Sequence, residues 1–261
     1  MDILLFIILV ISGLFVGFIN TLSAGGTIIS VALYLALGIS PISANATNRI
    51  NVLVQTCSST LMMKQNGYFD KKRIIKFSIP TIIGSVIGSL IAVKINESVF
   101  SYAMGVILLM MIIFLFLKPK SFYFDNLELL SKKTSILHYL AFFGIGLYGG
   151  FIQVGTGFFI MMAGTMLIGL DIMKTNALKV AIMGLYTIAA LVVFMIDSNT
   201  IYWKYALIHS IGTIIGSWFA TKFALKKGAS FVRWVIIVVI ILTAMNLFGL
   251  INMKAFFNSI I

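Results

Sequence analysis

Polar and apolar positions alternate here in long blocks. Segments 74–93, 99–117, 205–225 and 232–251 are almost wholly apolar, each about the 20 residues that a helix needs to cross a bilayer. The opening run, 3–38, is too long for one crossing, and its centre, "NTLSAGGTIIS" (20–30), is polar and rich in glycine. The blocks predict an all-α polytopic membrane protein. A β-barrel would show roughly ten-residue alternating segments, and none is visible. Composition agrees: with 61% hydrophobic and 10% charged residues, a soluble domain of this size could not cover its surface. The residue after Met1 is acidic, Asp2, and no small-x-small cleavage site follows. The first apolar segment therefore reads as a retained helix and not as a removed signal peptide.

The blocks repeat. "SIPTIIGS" (78–85) recurs as "SIGTIIGS" (210–217) at an offset of 132. "GLFVGFIN" (13–20) matches "GLYGGFIQ" (146–153) at 133, and "GISPISANA" (38–46) matches "GLDIMKTNA" (169–177) at 131, pairing Asn45 with Asn176. Collinear matches at nearly one offset indicate a duplication. The halves are 1–117 and 136–261, joined by a polar linker, 118–135, placed in the cytoplasm.

Charge then orients the copies. The net charge of +12 does not mark a nucleic-acid partner, because thirteen of the nineteen Lys and Arg lie in three clusters between apolar segments, around 64–76, 118–133 and 222–233. Basic loops beside membrane helices mark the cytoplasmic side and favour anionic lipid headgroups. The first TIIGS helix has its cluster at the N-terminal end and the second at the C-terminal end, so the copies run in opposite directions. An inverted-topology repeat of this kind is common among secondary transporters. Inversion needs an odd number of crossings per copy. Splitting the opening run at Gly25 and Gly26 gives five: 3–22, 27–38, 42–65, 73–94 and 98–117. The second half divides likewise at 136–153, 157–169, 173–195, 205–225 and 232–251. Both termini then face outward.

The segment 42–65 carries Asn45, Asn48, Arg49, Gln55, Thr56 and Ser59, which at 100° per residue occupy a sector of about 120°. Such a stripe must face a neighbouring helix or a water-filled cavity. The acidic residues Asp2, Asp70, Glu97, Asp125, Glu128, Asp171 and Asp197 all fall in loops or at helix ends. The interior thus holds cations and hydrogen-bond donors without carboxylates, which points to a small anionic substrate. In the second copy Asn176 is followed one turn later by Lys179. Arg49 and Lys179 either line a substrate path or snorkel to lipid phosphate.

The interruption offers backbone N–H groups at the start of a helix near Thr27, with Gly25 and Gly26 permitting close approach. Its counterpart is "QVGTGFF" (153–159). The expected site comprises Asn20, Ser23, Gly25, Gly26, Thr27, Asn45, Asn48, Arg49, Gln153, Thr156, Gly157, Asn176 and Lys179, with two helix starts converging on the anion. The bland alternative is a kink with small residues for packing. Gly13/Gly17, Gly84/Gly88, Gly146/Gly150 and Gly212/Gly216 all have small-xxx-small spacing. His138 and His209 read as structural or interfacial, and Cys57, the single cysteine, as a packing residue away from the polar stripe.

The stretch "GLFVGFINTLSAGGTIISVALYLALGISPISANATNRI" (13–50), with its diverged copy "GIGLYGGFIQVGTGFF" (144–159), resembles the TauE/SafE family of sulfite exporters. The unit that carries the likeness is G-x-x-x-G, a glycine-rich break, then L-G-I-x-P-x-x-A-x-x-T, here Gly38, Ile39, Pro41, Ala44 and Thr47. The glycine run is shortened to "SAGG", and Ala32 replaces a frequent proline. The resemblance implies movement of small sulfur-containing or organic anions across the cytoplasmic membrane. It also implies eight helices from a duplicated four-helix unit, where the residues themselves give five segments per half. The expected activity is secondary transport by alternating access between the repeats. An anion channel using the same site is the alternative. No P-loop, G-x-S-x-G, H-E-x-x-H or paired-cysteine motif is present, so enzyme chemistry, a cofactor or a metal is not expected.

Overall fold

The computed structural model describes residues 3–23, 25–116, 125–131, 133–196, 200–223 and 230–258. Among them every element is helical. The first half contains α1 (Ile3–Ser23), α2 (Thr27–Ala36), α3 (Pro41–Gln65), α4 (Lys71–Lys94) and α5 (Glu97–Phe116). A short α6 (Leu127–Ser131) falls in the linker. The second half follows with α7 (Ile136–Phe151), α8 (Thr156–Met162), α9 (Ile172–Ile196), α10 (Trp203–Phe223) and α11 (Ser230–Leu247), then α12 (Met253–Asn258). α8 runs on as a π-helical turn, Ala163–Ile168. The boundaries match the expected segments closely; α6 and α12 were not anticipated.

The helix limits have local causes. Pro41 occupies the first turn of α3, where its missing N–H costs nothing. Asp70 caps α4 by accepting from the Arg73 backbone N–H at 3.0 Å and pairs with the Arg73 side chain. Gly155, at φ +77°, makes the turn into α8 in the left-handed region that favours glycine.

Large apolar side chains point outward: Ile79, Ile83 and Ile87 on α4, and Ile188, Val192 and Met195 on α9. Arg49, Lys179, Asn45, Asn48, Gln55 and Gln153 are buried. Polar groups inside and aliphatic groups outside is the arrangement of a protein whose solvent is lipid. Three described helices, Ile3–Thr21, Lys71–Lys94 and Ile172–Ile196, are long and apolar enough to span a bilayer. The chain is an all-α polytopic membrane protein.

The halves pack reciprocally. α1 lies on α10 as α7 lies on α4, and α3 touches α10 as α9 touches α4. The small-xxx-small glycines make both crossings. A Cβ at Gly13 or Gly17 would strike the backbone at His209 or Thr213, and one at Gly212 or Gly216 the backbone at Val10 or Leu14. Gly84 and Gly88 meet Phe143 and Leu147 in the same way, as Gly146 and Gly150 meet Thr81 and Ser85. Numbers rise together on both sides of each crossing, so α1 and α10 are parallel, and so are α4 and α7. The central pair behaves differently. Arg49 lies against Phe194, while Thr56 lies against Gly184, so the matching helices α3 and α9 run antiparallel.

The chain reverses at the first break. Gly26 backs onto Val16 and Asn20 of α1. Further on, the Tyr34 ring of α2 lies 5.8 Å from that of His209, which bonds Ser12 of α1. α2 therefore returns along α1 rather than extending it, as the split of the opening run requires. Its 10 residues give a rise of roughly 15 Å, half the hydrocarbon thickness.

The linker is stapled to the second half. Asn126 N–H donates to Gly169 O, Asp171 N–H donates to the Asp125 carboxylate at 2.9 Å, and the Lys174 ammonium pairs with the same carboxylate.

Candidate functional site

A helix ends with four backbone carbonyls that have no partner within it. At the end of α7 all four are satisfied. Tyr148 O accepts from Ile152 N–H at 2.7 Å. Gly149 O and Gly150 O accept from the two terminal nitrogens of Arg49 at 3.2 and 2.5 Å, and Phe151 O accepts from the Asn45 amide at 2.9 Å. Asn45 also receives the Gln153 backbone N–H at 3.2 Å. Two α3 side chains, one turn apart, thus hold the broken end of the other half's first helix. The Arg49 guanidinium lies 4.6 Å from the Phe194 ring centre, a cation–π contact in a desolvated place. Beyond the break the Gln153 amide donates to the Thr187 hydroxyl at 2.8 Å, and the Thr156 hydroxyl donates to Gln153 O at 2.9 Å.

The end of α1 mirrors this. The Lys179 ammonium, from α9, donates to Asn20 O at 3.1 Å and Thr21 O at 3.5 Å. The Asn20 amide donates to Gln55 at 3.0 Å, and Gln55 donates on to the Thr21 hydroxyl at 3.2 Å. Asn20 Oδ1 receives the Thr27 N–H at 3.2 Å. One of the backbone donors expected free at the start of α2 is therefore consumed by Asn20.

Each buried cation therefore caps the carbonyl end of the opposite half's first helix. Arg49 and Lys179 are 0% and 1% exposed, and among the described residues no carboxylate pairs with either. The negative end of a helix dipole is what remains to stabilise them. The expectation placed the cations beside helix starts; their hydrogen bonds go to helix-end carbonyls, which share each break with the start of α2 or α8. Their burial also removes snorkelling as a description of either side chain.

Of the expected residues, Asn20, Thr27 and Lys179 gather at the first break, with Gly25 and Gly26 forming its turn. Asn45, Arg49, Gln153 and Thr156 gather at the second, where Gly157 is buried in α8. Asn48 is buried with both amide atoms unpartnered, and Asn176 Oδ1 is unpartnered too, so neither is bonded into a break. The Ser23 side chain lies outside the described residues. Four further residues belong to the breaks: Gln55 and Thr21 at the first, Thr187 and Tyr186 at the second. The offset of 131 maps Gln55 onto Tyr186 and Thr56 onto Thr187, a signal that the repeat contained.

Several buried polar atoms here have no partner: Arg49 Nε, Tyr186 Oη, Gln153 Oε1, the Asn48 amide and the Thr27 hydroxyl. Buried groups are nearly always paired, and each exception costs about 1–3 kcal/mol. Each break thus holds an uncompensated cation and at least one buried polar atom without a partner, a combination suited to receiving a polar, negatively charged ligand.

A family model described as "Sulfite exporter TauE/SafE" matches residues 9–247. The chain is 25% identical over 240 residues to the probable membrane transporter protein ORF9 of Sinorhizobium sp, covering 92% of this chain and 90% of that protein. It is 23% identical over 231 residues to the probable membrane transporter protein YfcA of Escherichia coli K12, covering 85% and 82%. A probable membrane transporter protein of Haemophilus influenzae is 26% identical over 226 residues, covering 87% and 88%. No solved structure matches the chain.

Proposed function

The chain belongs to the sulfite exporter TauE/SafE family of membrane transporters, and from that premise we propose that it is a secondary transporter of small anions, sulfite or a related sulfur-containing or organic anion. The observation that carries this reading is the pair Arg49 and Lys179, two buried cations held by helix-end carbonyls instead of carboxylates. Neutral carbonyls leave the positive charge available. An arriving anion gains two attractions in a low-dielectric place without first displacing a counter-ion.

The mechanism proposed is alternating access between inverted repeats. Its supports are the antiparallel run of α3 against α9 and the reciprocal packing of the outer helices. The clamps cross between halves: α3 grips α7, and α9 grips α1. Rocking one half against the other must loosen one clamp, and an anion that takes over the freed cation lowers the cost of doing so. The basic α3–α4 loop (Lys71, Lys72 and Arg73) is then cytoplasmic, the host is the cell membrane, and α1 begins on the outer side.

Counterflow in proteoliposomes tests this reading. Vesicles loaded with unlabelled sulfite and diluted into a trace of labelled sulfite should accumulate label transiently. Entry to equilibrium without overshoot would indicate a channel. No protein-dependent flux of sulfite, thiosulfate or a sulfonate would remove the anion reading.

A further inference from the structure

The second break contains a group with no assigned role. Tyr186, on α9, is 0% exposed. Its ring end lies where a side chain on Gly149 would sit: a Cβ there would be 3.1 Å from Tyr186 Cζ and from the Thr156 hydroxyl. Gly149 is also the residue whose carbonyl accepts from Arg49. Thr156, Gln153 and Thr187 crowd the Tyr186 hydroxyl and Arg49 acts on it electrostatically, yet none of the three is aligned as a hydrogen-bond partner.

Two neighbours have a free edge as well. Arg49 spends both terminal nitrogens on carbonyls and keeps its Nε–H unpaired. Gln153 donates to Thr187 and keeps Oε1 unpaired. A phenol buried only for packing would be better replaced by phenylalanine, since an unmet hydroxyl costs free energy and gains nothing. Three unmet groups at one break, with a cation among them, fit a ligand that meets them together.

We propose that the Tyr186 hydroxyl, the Arg49 Nε–H and the free Gln153 Oε1 form an oxyanion subsite at the α7–α8 break, where Gly149 leaves room for the Tyr186 ring and Thr156. Resting on the anion-transport reading, this adds the contact set and the ligand class. Two donors suit the several acceptor sites of an oxyanion. Gln153 Oε1 requires a hydrogen from the ligand's own hydroxyl or from a water carried with it. A bare halide can accept from both donors but brings no hydrogen for Gln153. The subsite belongs to the second repeat alone, because the position matching Tyr186 in the first is Gln55, whose amide is already bonded to Asn20 and Thr21.

The test is equilibrium binding of sulfite, with chloride as the monatomic comparison, to purified wild type and Tyr186→Phe in the same detergent. Melting temperature is measured without anion. A charge-assisted hydrogen bond supplies roughly a tenfold or greater change in Kd. Tyr186→Phe should therefore bind sulfite at least about tenfold more weakly, while its anion-free melting temperature stays at or above wild type. Wild-type sulfite affinity in Tyr186→Phe would overturn the subsite and leave anion transport standing. A fall in the anion-free melting temperature would also overturn it, since the hydroxyl would then serve the resting fold. Chloride binding as tight as sulfite binding would refute the ligand class, and no anion binding by wild type would sink the transport reading together with the subsite.

Discussion

Gly150 joins the packing of the bundle to the candidate site, so Gly150→Ala is an informative perturbation. An added Cβ would meet the Ser85 carbonyl group and would lie 2.6 Å from Ser85 Cα. Ordinary carbon contacts need about 3.5–4.0 Å, so α4 and α7 must separate by about 1 Å. Neither can swing aside, because both partners are backbone. Overpacking of this sort costs about 1–3 kcal/mol. The same residue gives its carbonyl to Arg49, and a charged hydrogen bond contributes about 1.5–3 kcal/mol. Weakening that bond brings the expected loss to about 2–5 kcal/mol. Gly144, on the same helix, supplies the comparison: nothing lies within 4 Å of its added Cβ. Alanine is the better helix former by about 0.8–1 kcal/mol in soluble hosts, so Gly144→Ala should be neutral or stabilising. The assay is thermal unfolding of both purified variants in one detergent, followed by size-exclusion chromatography. Equal melting temperatures for the two variants would refute the close α4–α7 crossing.

Three further outcomes are expected. Asn45→Ala strands the Phe151 carbonyl and the Gln153 N–H and should cost about 2–4 kcal/mol; Asn176→Ala, whose Oδ1 has no partner, should cost clearly less, and equal melting shifts would contradict the assigned bonds. On a Cys57→Ser background an impermeant maleimide applied to intact cells should label Glu97→Cys and spare Gln65→Cys; the reverse pattern would invert the topology. Although burial opposes its ionisation, the Lys174 ammonium and the Asp171 N–H hold the Asp125 carboxyl below the usual carboxylate range. A depressed acid stabilises above its unfolded value of about 4 and loses this as pH falls through the lower folded value. Asp125→Asn should therefore lower the melting temperature equally at pH 5 and pH 8, and a penalty that fades between them would overturn this assignment.

Much of the helical plan could be read from residues alone, because lipid imposes apolar blocks of fixed length and the glycine pairs mark close crossings. The reversal at Gly25 and Gly26 was legible through charge, since the basic clusters required an extra crossing. Whether Arg49 and Lys179 are buried was not legible, because a cation without a nearby carboxylate can equally snorkel to lipid phosphate. Nor was what holds them: the partners are backbone carbonyls about 100 and 159 residues away in sequence, and a carbonyl has no letter of its own. Tyr186 was hidden for a related reason. An aromatic on an apolar helix reads as packing until its hydroxyl is found unpaired, and only the register that maps it onto Gln55 could have singled it out. The short α6 escaped notice because five residues are too few for a periodic signal.

The central claim is that Arg49 and Lys179 are the charges that receive the anion. Its most direct measurement is saturation binding of labelled sulfite to purified wild type, Arg49→Gln and Lys179→Gln, restricted to preparations that elute as single folded species. Saturable binding by wild type, with affinity reduced at least about tenfold in each variant, is the result this account predicts. Wild-type affinity for sulfite, thiosulfate and sulfonates in both variants would contradict it.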